Sequence, residues 1–148
     1  MKKVLILTHG NLADGVKNNA ELIWGTCNEV ACINAFLEDV SPQDELEAYF
    51  GSLDPTDEVV VFTDYLAGSV TKMAAPYIAQ RAVHIVAGFN MPMVLEVLST
   101  LDDPEDITAE FFRKLVEVGK DSICYVNDVF KVGNVSEATL KKYIENQG

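Results

Sequence analysis

The sequence predicts an α/β fold, with a doubly wound, mainly parallel sheet and flanking helices. Short apolar runs rich in branched side chains recur along the chain, which is typical of strands buried on both faces. Segments with apolar residues at helical spacing separate these runs, and this alternation favours parallel pairing through crossover connections. The chain of 148 residues has no internal repeat and no low-complexity linker, so we expect a single domain.

Four strands are predicted from the apolar runs. The first begins at Val4 and must stop at His9-Gly10, because Gly10 allows the backbone to turn sharply. The third ends at Thr63-Asp64. A weaker apolar run at residues 123–126 is interpreted as a fifth, short strand. The four main runs occupy residues 4–9, 30–36, 59–62 and 83–87.

Helices are predicted between and after the strands. Gly25 is placed to end the first helix, Ser41 and Thr108 are placed to cap later ones, and Gly68 or Ser69 lies at the start of another. The first helix is expected to carry its apolar face on Leu12, Val16, Ala20, Ile23 and Trp24. The predicted helical segments cover about residues 12–24, 42–53, 69–78, 91–101, 109–118 and 136–145.

The charge balance excludes one class of partner. The formal net charge is −12, and nucleic-acid binding requires a basic surface that faces the phosphates. The charge is compatible with solubility or with a positively charged protein partner.

Cysteine usage and the apolar runs predict a cytoplasmic protein. Cys27, Cys32 and Cys124 are odd in number and lack the CxxC spacing, so we expect reduced thiols in or near the core. No apolar run approaches the ~18 residues of a membrane span. The Met-Lys-Lys start and the short run behind it do not resemble a secretory signal.

Two polar residues at predicted strand ends are the first candidates for chemistry. His9 follows the first strand and Asp64 follows the third. If these strands are neighbours, the two side chains meet at the carboxyl edge of the sheet, where open α/β folds place their sites. A carboxylate bonded to one imidazole nitrogen fixes the tautomer and leaves the other nitrogen free as a nucleophile.

A turn at a helix start completes the candidate site. Gly68-Ser69 would supply backbone N–H groups, a hydroxyl and the positive end of a helix dipole, which suit a phosphoryl group. Each residue alone also has a structural interpretation, such as an N-cap for Ser69. The three together favour phosphoryl transfer to His9. His84 lies inside a predicted strand and is interpreted as a structural or interface residue.

Three blocks of the sequence resemble the IIA component of the mannose-type sugar phosphotransferase system. The first ends in Thr8-His9-Gly10. The second runs from Phe62 to Ser69, where the family typically has an Asp followed by a Gly-Gly-Ser-Pro turn. The third is Ala87-Gly88-Phe89-Asn90-Met91-Pro92-Met93, similar to the family's Gly-x-Asn-x-Pro-Met segment. The resemblance is clearest over residues 1–125 and leaves 127–148 as a C-terminal extension.

The resemblance implies a cytoplasmic homodimer in which one antiparallel edge strand, here residues 123–126, is exchanged between subunits. It implies that the carrier HPr, as phospho-HPr, phosphorylates the histidine and that a IIB component receives the group. Membrane IIC and IID components would be linked indirectly, and no cofactor or metal is implied. By position, His9 is the acceptor and Asp64 its orienting partner. The phosphate pocket would comprise Ser69, Gly68, Ala67 and Gly10.

Departures from the family pattern keep other interpretations open. Ala67 replaces the first glycine of the usual turn, and Val70 replaces its proline. The phosphotransfer subunit of dihydroxyacetone kinase has a similar histidine but a shorter Asp-x-Gly-Ser turn. A tetrapyrrole metal chelatase also has His-Gly after its first strand, but it needs further metal ligands. A phosphohistidine phosphatase or mutase would need an arginine where Thr8 stands. A non-catalytic anion-binding domain is the remaining alternative.

Overall fold

A parallel sheet forms the centre of the protein. The computed structural model of the chain describes residues 1–130, 141–142 and 144–146. In this part the sheet has four strands in the order β2-β1-β3-β4, and every pair is parallel. The first and third strands are therefore neighbours at the centre. The strands are β1 (Lys2–His9), β2 (Val30–Ala35), β3 (Glu58–Thr63) and β4 (Val83–Ala87).

Helices cover both faces of the sheet, which confirms the doubly wound prediction. Alternate residues of one strand point to opposite faces: Val4 and Ile6 of β1 pack in one core cluster, and Leu5 and Leu7 pack in the other. The first cluster includes residues of α1, α4 and α5, and the second includes residues of α2 and α3. The helices are α1 (Leu12–Trp24), α2 (Pro42–Ser52), α3 (Ser69–Ala74), α4 (Met91–Leu98), α5 (Ala109–Asp121) and α6 (Val126–Val129).

The predicted helix boundaries are confirmed where side chains define them. The Ser41 hydroxyl accepts a hydrogen bond from the Asp44 amide, and the Thr108 hydroxyl accepts one from the Phe111 amide. Gly25 follows α1 with a φ of 102°, a value that favours glycine. These local signals define the starts of α2 and α5 and the end of α1.

Two predicted helices differ from the structure. The helix expected over 69–78 is α-helical only to Ala74 and continues as a 3₁₀ helix over Ala75–Ala79, because Pro76 has no N–H to donate to the preceding turn. The expected apolar face of α1 is wrong at three positions: Val16 and Ala20 are buried with Ala13, whereas Leu12, Ile23 and Trp24 are exposed. The predicted helix over 136–145 lies largely outside the described residues, of which 141–142 and 144–146 are helical.

The fifth strand predicted at residues 123–126 is wrong in the described chain. Residues 123–125 have no regular structure and Val126 begins α6. The Ile123 amide donates to Lys120 O and the Asp128 amide to Tyr125 O, so the backbone here turns locally instead of pairing with the sheet. Among the described residues there is accordingly no antiparallel edge strand.

The prediction of thiols in or near the core is confirmed for two of the three cysteines. All three cysteines are free: Cys27 is buried and Cys32 half-buried, as expected, but Cys124 is exposed and the near-core prediction is wrong for it. Burial raises the pKa of the Cys32 thiol to about 11, and the nearby Asp14 contributes in the same direction.

Within the described ranges, no helix is long and apolar enough to cross a bilayer.

Arg81 joins the end of α2 to the start of β3. Its guanidinium donates to the backbone oxygens of Phe50, Asp54 and Asp57 at 3.3, 2.8 and 3.1 Å. It also lies 5.5 Å from the centre of the Phe50 ring. Phe50 O and Asp54 O also accept from the amides of Leu53 and Asp57, so the guanidinium is a second donor to these two oxygens and connects them to Asp57 O.

We predict that Arg81→Met lowers the free energy of unfolding by about 1–3 kcal/mol, since three hydrogen bonds from a charged group are lost. Urea unfolding followed by circular dichroism measures this. Arg113→Met is the matched control, because Arg113 and its ion-pair partner Glu110 are both exposed and such pairs stabilise little. Equal losses in the two variants would show that Arg81 has no special structural role.

Candidate active site

The strand order brings together the two residues predicted to meet. Leu7 of β1 pairs with Thr63 of β3, so His9 and Asp64 both extend from the carboxyl ends of adjacent strands. His9 Nδ1 lies 2.8 Å from Asp64 Oδ2. The sequence prediction that these side chains meet at one edge of the sheet is therefore confirmed by the geometry.

The Asp64 carboxylate is held in place by backbone as well as by the imidazole. Its Oδ2 accepts from the His9 amide at 2.9 Å, and its Oδ1 accepts from the Tyr65 amide at 3.1 Å. Partial burial by itself would raise the pKa of Asp64. The hydrogen bonds from the His9 amide and ring, with a smaller one from the Tyr65 amide, outweigh burial and hold this pKa below its usual value.

This carboxylate determines which imidazole nitrogen can react. A carboxylate only accepts hydrogen bonds, so Nδ1 of His9 carries the proton and Nε2 keeps its lone pair. Nε2 lies 3.3 Å from the Ser69 hydroxyl oxygen. The His9 side chain is 31% exposed and that of Asp64 only 11%, so the acid is enclosed while the ring remains accessible.

Two aromatic rings stack on the His9 imidazole. The Phe36 ring centre lies 5.5 Å from that of His9 at 26°, and the Tyr65 ring centre lies 5.1 Å away at 13°. Sequence analysis did not assign either ring to the site. Both residues follow a strand that neighbours β1, within two residues of its end. That position after a neighbouring strand was the signal that could have found them.

The backbone at Phe36 is in an unfavourable region. Its φ of 68° is the only positive value of a non-glycine residue in the described chain. This conformation costs roughly 1–2 kcal/mol for a residue with a Cβ. Such outliers cluster at functional sites, where surrounding contacts maintain them.

The remaining residues assigned to the phosphate pocket line the site in different ways. A Cβ on Gly68 would lie 3.0 Å from His9 Cε1, so a larger residue here would press on the ring. The amide of Gly68 donates to Tyr65 O and the amide of Gly10 donates to Ala35 O; both are already engaged. Gly10, with a φ of 60°, shapes the turn after β1. Ala67 is exposed in the loop before α3.

Buried hydroxyl groups fix the loops that carry the site. Thr71 Oγ1 lies 2.7 Å from Thr63 Oγ1 and 2.9 Å from Tyr65 O, which ties the start of α3 to the end of β3. Thr8 Oγ1 accepts from the Ala13 amide at 2.8 Å, one of the first amides of α1. The side chains next to His9 and Asp64 are thus connected to both following helices.

The other polar residues noted in the sequence lie elsewhere and have structural partners. His84 Nε2 lies 3.0 Å from Glu58 Oε1, and its ring stacks on Phe112, which agrees with a structural interpretation. Asn90 donates from Nδ2 to Gly119 O at 2.9 Å and so links α4 to α5. No group of three or more metal-ligating side chains occurs in the part of the chain described here, so no observation there favours a chelatase.

Comparisons with a family model and with known proteins point to the same family. A family model described as the PTS system fructose IIA component (PTS, phosphotransferase system) matches residues 3–114. The PTS system mannose-specific EIIAB component of Escherichia coli (strain K12) is 27% identical over 124 residues, which cover 81% of this chain and 38% of that protein. The chain thus spans about two fifths of the length of this relative. The PTS system fructose-specific EIIA component of Bacillus subtilis (strain 168) is 28% identical over 102 residues, covering 67% of this chain and 70% of that protein.

Solved structures agree with this assignment. A phosphoenolpyruvate-dependent sugar PTS permease from Klebsiella pneumoniae superimposes with a TM-score of 0.79 at 27% identity, covering 87% of this chain and 93% of that one. A PTS IIA protein associated with the fucose utilization operon of Streptococcus pneumoniae gives a TM-score of 0.69 at 28% identity, with coverages of 87% and 96%. Since the family model matches most of the chain, the chain belongs to the family of PTS fructose IIA components.

Proposed function

We propose that the protein is a phosphocarrier: His9 accepts a phosphoryl group from phospho-HPr and passes it to a IIB component for sugar uptake and phosphorylation. The observation that carries this proposal is the 2.8 Å contact between His9 Nδ1 and Asp64 Oδ2, together with the position of Nε2 beside the Ser69 hydroxyl. An oriented imidazole with one free nitrogen is the arrangement that nucleophilic phosphoryl transfer requires.

The transfer step follows from this arrangement. The Nε2 lone pair of His9 attacks the phosphorus of the donor phosphohistidine, an Nε2–P bond forms, and the donor N–P bond breaks. The electron pair of the broken bond returns to the donor nitrogen. The proton on Nδ1 stays in its hydrogen bond to Asp64, which stabilises the positive charge that the ring acquires. In the second transfer the IIB component is the acceptor: the Nε2–P bond of His9 breaks, and its electron pair returns to Nε2.

The phosphate pocket would be formed by the loop before α3. The Ser69 hydroxyl is the donor nearest to Nε2, and it can turn from that nitrogen to a phosphoryl oxygen after transfer. Gly68 allows the turn that contains Ala67 to approach the ring, and Gly10, directly after His9, has open space at its Cα. Because α3 is only six residues long, we assign the main role to the hydroxyl and a minor role to the helix dipole.

The surface around His9 fits protein partners. Exposed apolar side chains lie within three residues of the ends of β1, β2 and β3, and apolar contact area drives association. The net charge of −12 favours encounter with a basic face, as proposed for HPr. We further propose a cytoplasmic homodimer that serves the membrane IIC and IID components indirectly. The apolar residues are Leu12, Phe36, Leu37, Tyr65 and Leu66.

We predict that incubation with HPr, its kinase and phosphoenolpyruvate adds one acid-labile phosphoryl group to the wild type, detected as a mass increase. His9→Ala should abolish it, because the variant lacks the Nε2 lone pair that is proposed to accept the phosphoryl group. The control is His84→Gln, which removes the other imidazole and should still be phosphorylated. Phosphorylation of the His9→Ala variant would refute the assignment; an unmodified wild type would leave the non-catalytic anion-binding alternative.

We predict that Asp64→Asn slows phosphoryl transfer by ~10²- to 10⁴-fold, since an amide N–H at this position favours the tautomer with the proton on Nε2. Rapid-quench kinetics with phospho-HPr measures the rate. Asp121→Asn, at an exposed site on α5, controls for the loss of one negative charge and should be normal. A normal rate for Asp64→Asn would remove Asp64 from the mechanism.

The lowered pKa of Asp64 predicts how stability varies with pH. The folded pKa lies below the unfolded one, so the ionised carboxylate stabilises the fold above the usual carboxyl range, and this contribution is lost as pH falls through the lowered value. The difference in unfolding free energy between wild type and Asp64→Asn should therefore close in acid. Urea titrations from neutral pH downward test this, and a constant difference would contradict it.

A further inference from the structure

The His9 ring is contacted from both neighbouring strands. Phe36 follows β2 and Tyr65 follows β3, and the strand order puts these strands on opposite sides of β1. Both rings lie nearly parallel to the imidazole, at 26° and 13°. Hydrogen bonds to Asp64 and Ser69 fix the two nitrogens in the ring plane, whereas the stacked rings limit movement out of that plane.

Phe36 makes this contact at a cost that its other contacts do not explain. Its φ of 68° lies in the left-handed region, which a residue with a Cβ enters only when the surroundings impose it. The side chain is 57% exposed, so burial in the core does not hold it there. Its stacking partner is His9. Stacking on His9, rather than burial in the core, therefore distinguishes Phe36 from an ordinary loop residue.

On the basis of the proposed phosphocarrier function, we infer that Phe36 and Tyr65 are positioning residues: by stacking on His9 they hold Nε2 in line for phosphoryl transfer. Nucleophilic attack requires the reacting atoms to be aligned at close range. When Nε2 bonds to phosphorus and Nδ1 keeps its proton, the imidazole ring becomes cationic. The faces of aromatic rings attract positive charge, so the same contacts favour the phosphorylated ring.

Positioning and partner docking make different predictions for the kinetics. Both aromatic residues are exposed and belong to the apolar surface proposed to meet HPr. If they only contribute docking area, their loss raises the phospho-HPr concentration for half-saturation and leaves the maximal rate of transfer unchanged. If they position the ring, the maximal rate falls. Leu37 and Leu66, exposed apolar neighbours of the two rings in the chain, serve as docking comparisons.

The test compares the wild type with Phe36→Gly, Phe36→Leu, Tyr65→Leu and Tyr65→Phe. Glycine adopts a positive φ without strain, so Phe36→Gly removes the ring while the backbone is kept. We expect the maximal transfer rate to fall roughly two- to tenfold in the two leucine variants and in Phe36→Gly, and to be retained in Tyr65→Phe. Leu37→Ala and Leu66→Ala should change only the half-saturating concentration.

A second measurement needs no phosphoryl transfer. Nitrogen and proton NMR of the His9 ring in the unphosphorylated protein reports its tautomer and its mobility. We expect one tautomer and sharp ring signals in the wild type and in Tyr65→Phe, and broadened signals in the variants that lack a ring. If those variants keep sharp signals and the wild-type maximal rate, the positioning role is refuted. If the wild type accepts no phosphoryl group, the proposed function fails and with it the role in transfer; broadened ring signals in the variants would then still show that Phe36 and Tyr65 restrain the His9 ring.

Discussion

The hydrogen bond between His9 Nδ1 and Asp64 Oδ2 joins the ends of the two central strands over 2.8 Å. It links three levels of the structure. It depends on the parallel pairing of β1 with β3, it favours the tautomer with the proton on Nδ1, and it leaves the lone pair on Nε2. The same Asp64 oxygen accepts from the His9 amide, so backbone and side chain of one residue are fixed by one carboxylate.

The rest of the fold keeps these two strand ends in register. The central strands are almost fully buried between helices on both faces, and close packing leaves little room for a strand to shift. A slip of one residue would place every apolar side chain on the wrong face. The buried hydroxyl groups of Thr8, near the end of β1, and Thr71, in α3, hold the loops that follow β1 and β3. The tightly packed sheet therefore fixes the relative positions of His9 and Asp64 at its exposed edge.

Much of this could be predicted from the sequence because the signals are local. Branched apolar runs, caps such as Ser41 and Thr108, and glycine at turns determine the four strands and most helix boundaries. The pairing of His9 with Asp64 needed one further assumption, that the first and third strands are neighbours. The positions of Phe36 and Tyr65 after strands that neighbour β1 indicate that they lie near His9, but their stacking on the ring could not be predicted, since it depends on loop conformations, including a positive φ at a phenylalanine. The strand expected at 123–126 failed for a related reason: β-propensity is satisfied only where a neighbouring strand is available.

The central claim is that Asp64 leaves Nε2 of His9 as the atom that bears the phosphoryl group. The most direct measurement is NMR of the ¹⁵N-histidine-labelled protein after phosphorylation by phospho-HPr, with phosphorus–nitrogen coupling used to locate the bond. We expect the phosphorus to couple to Nε2 of His9 and a proton to remain on Nδ1. Coupling to Nδ1, or a phosphoryl group on any residue other than His9, would contradict it.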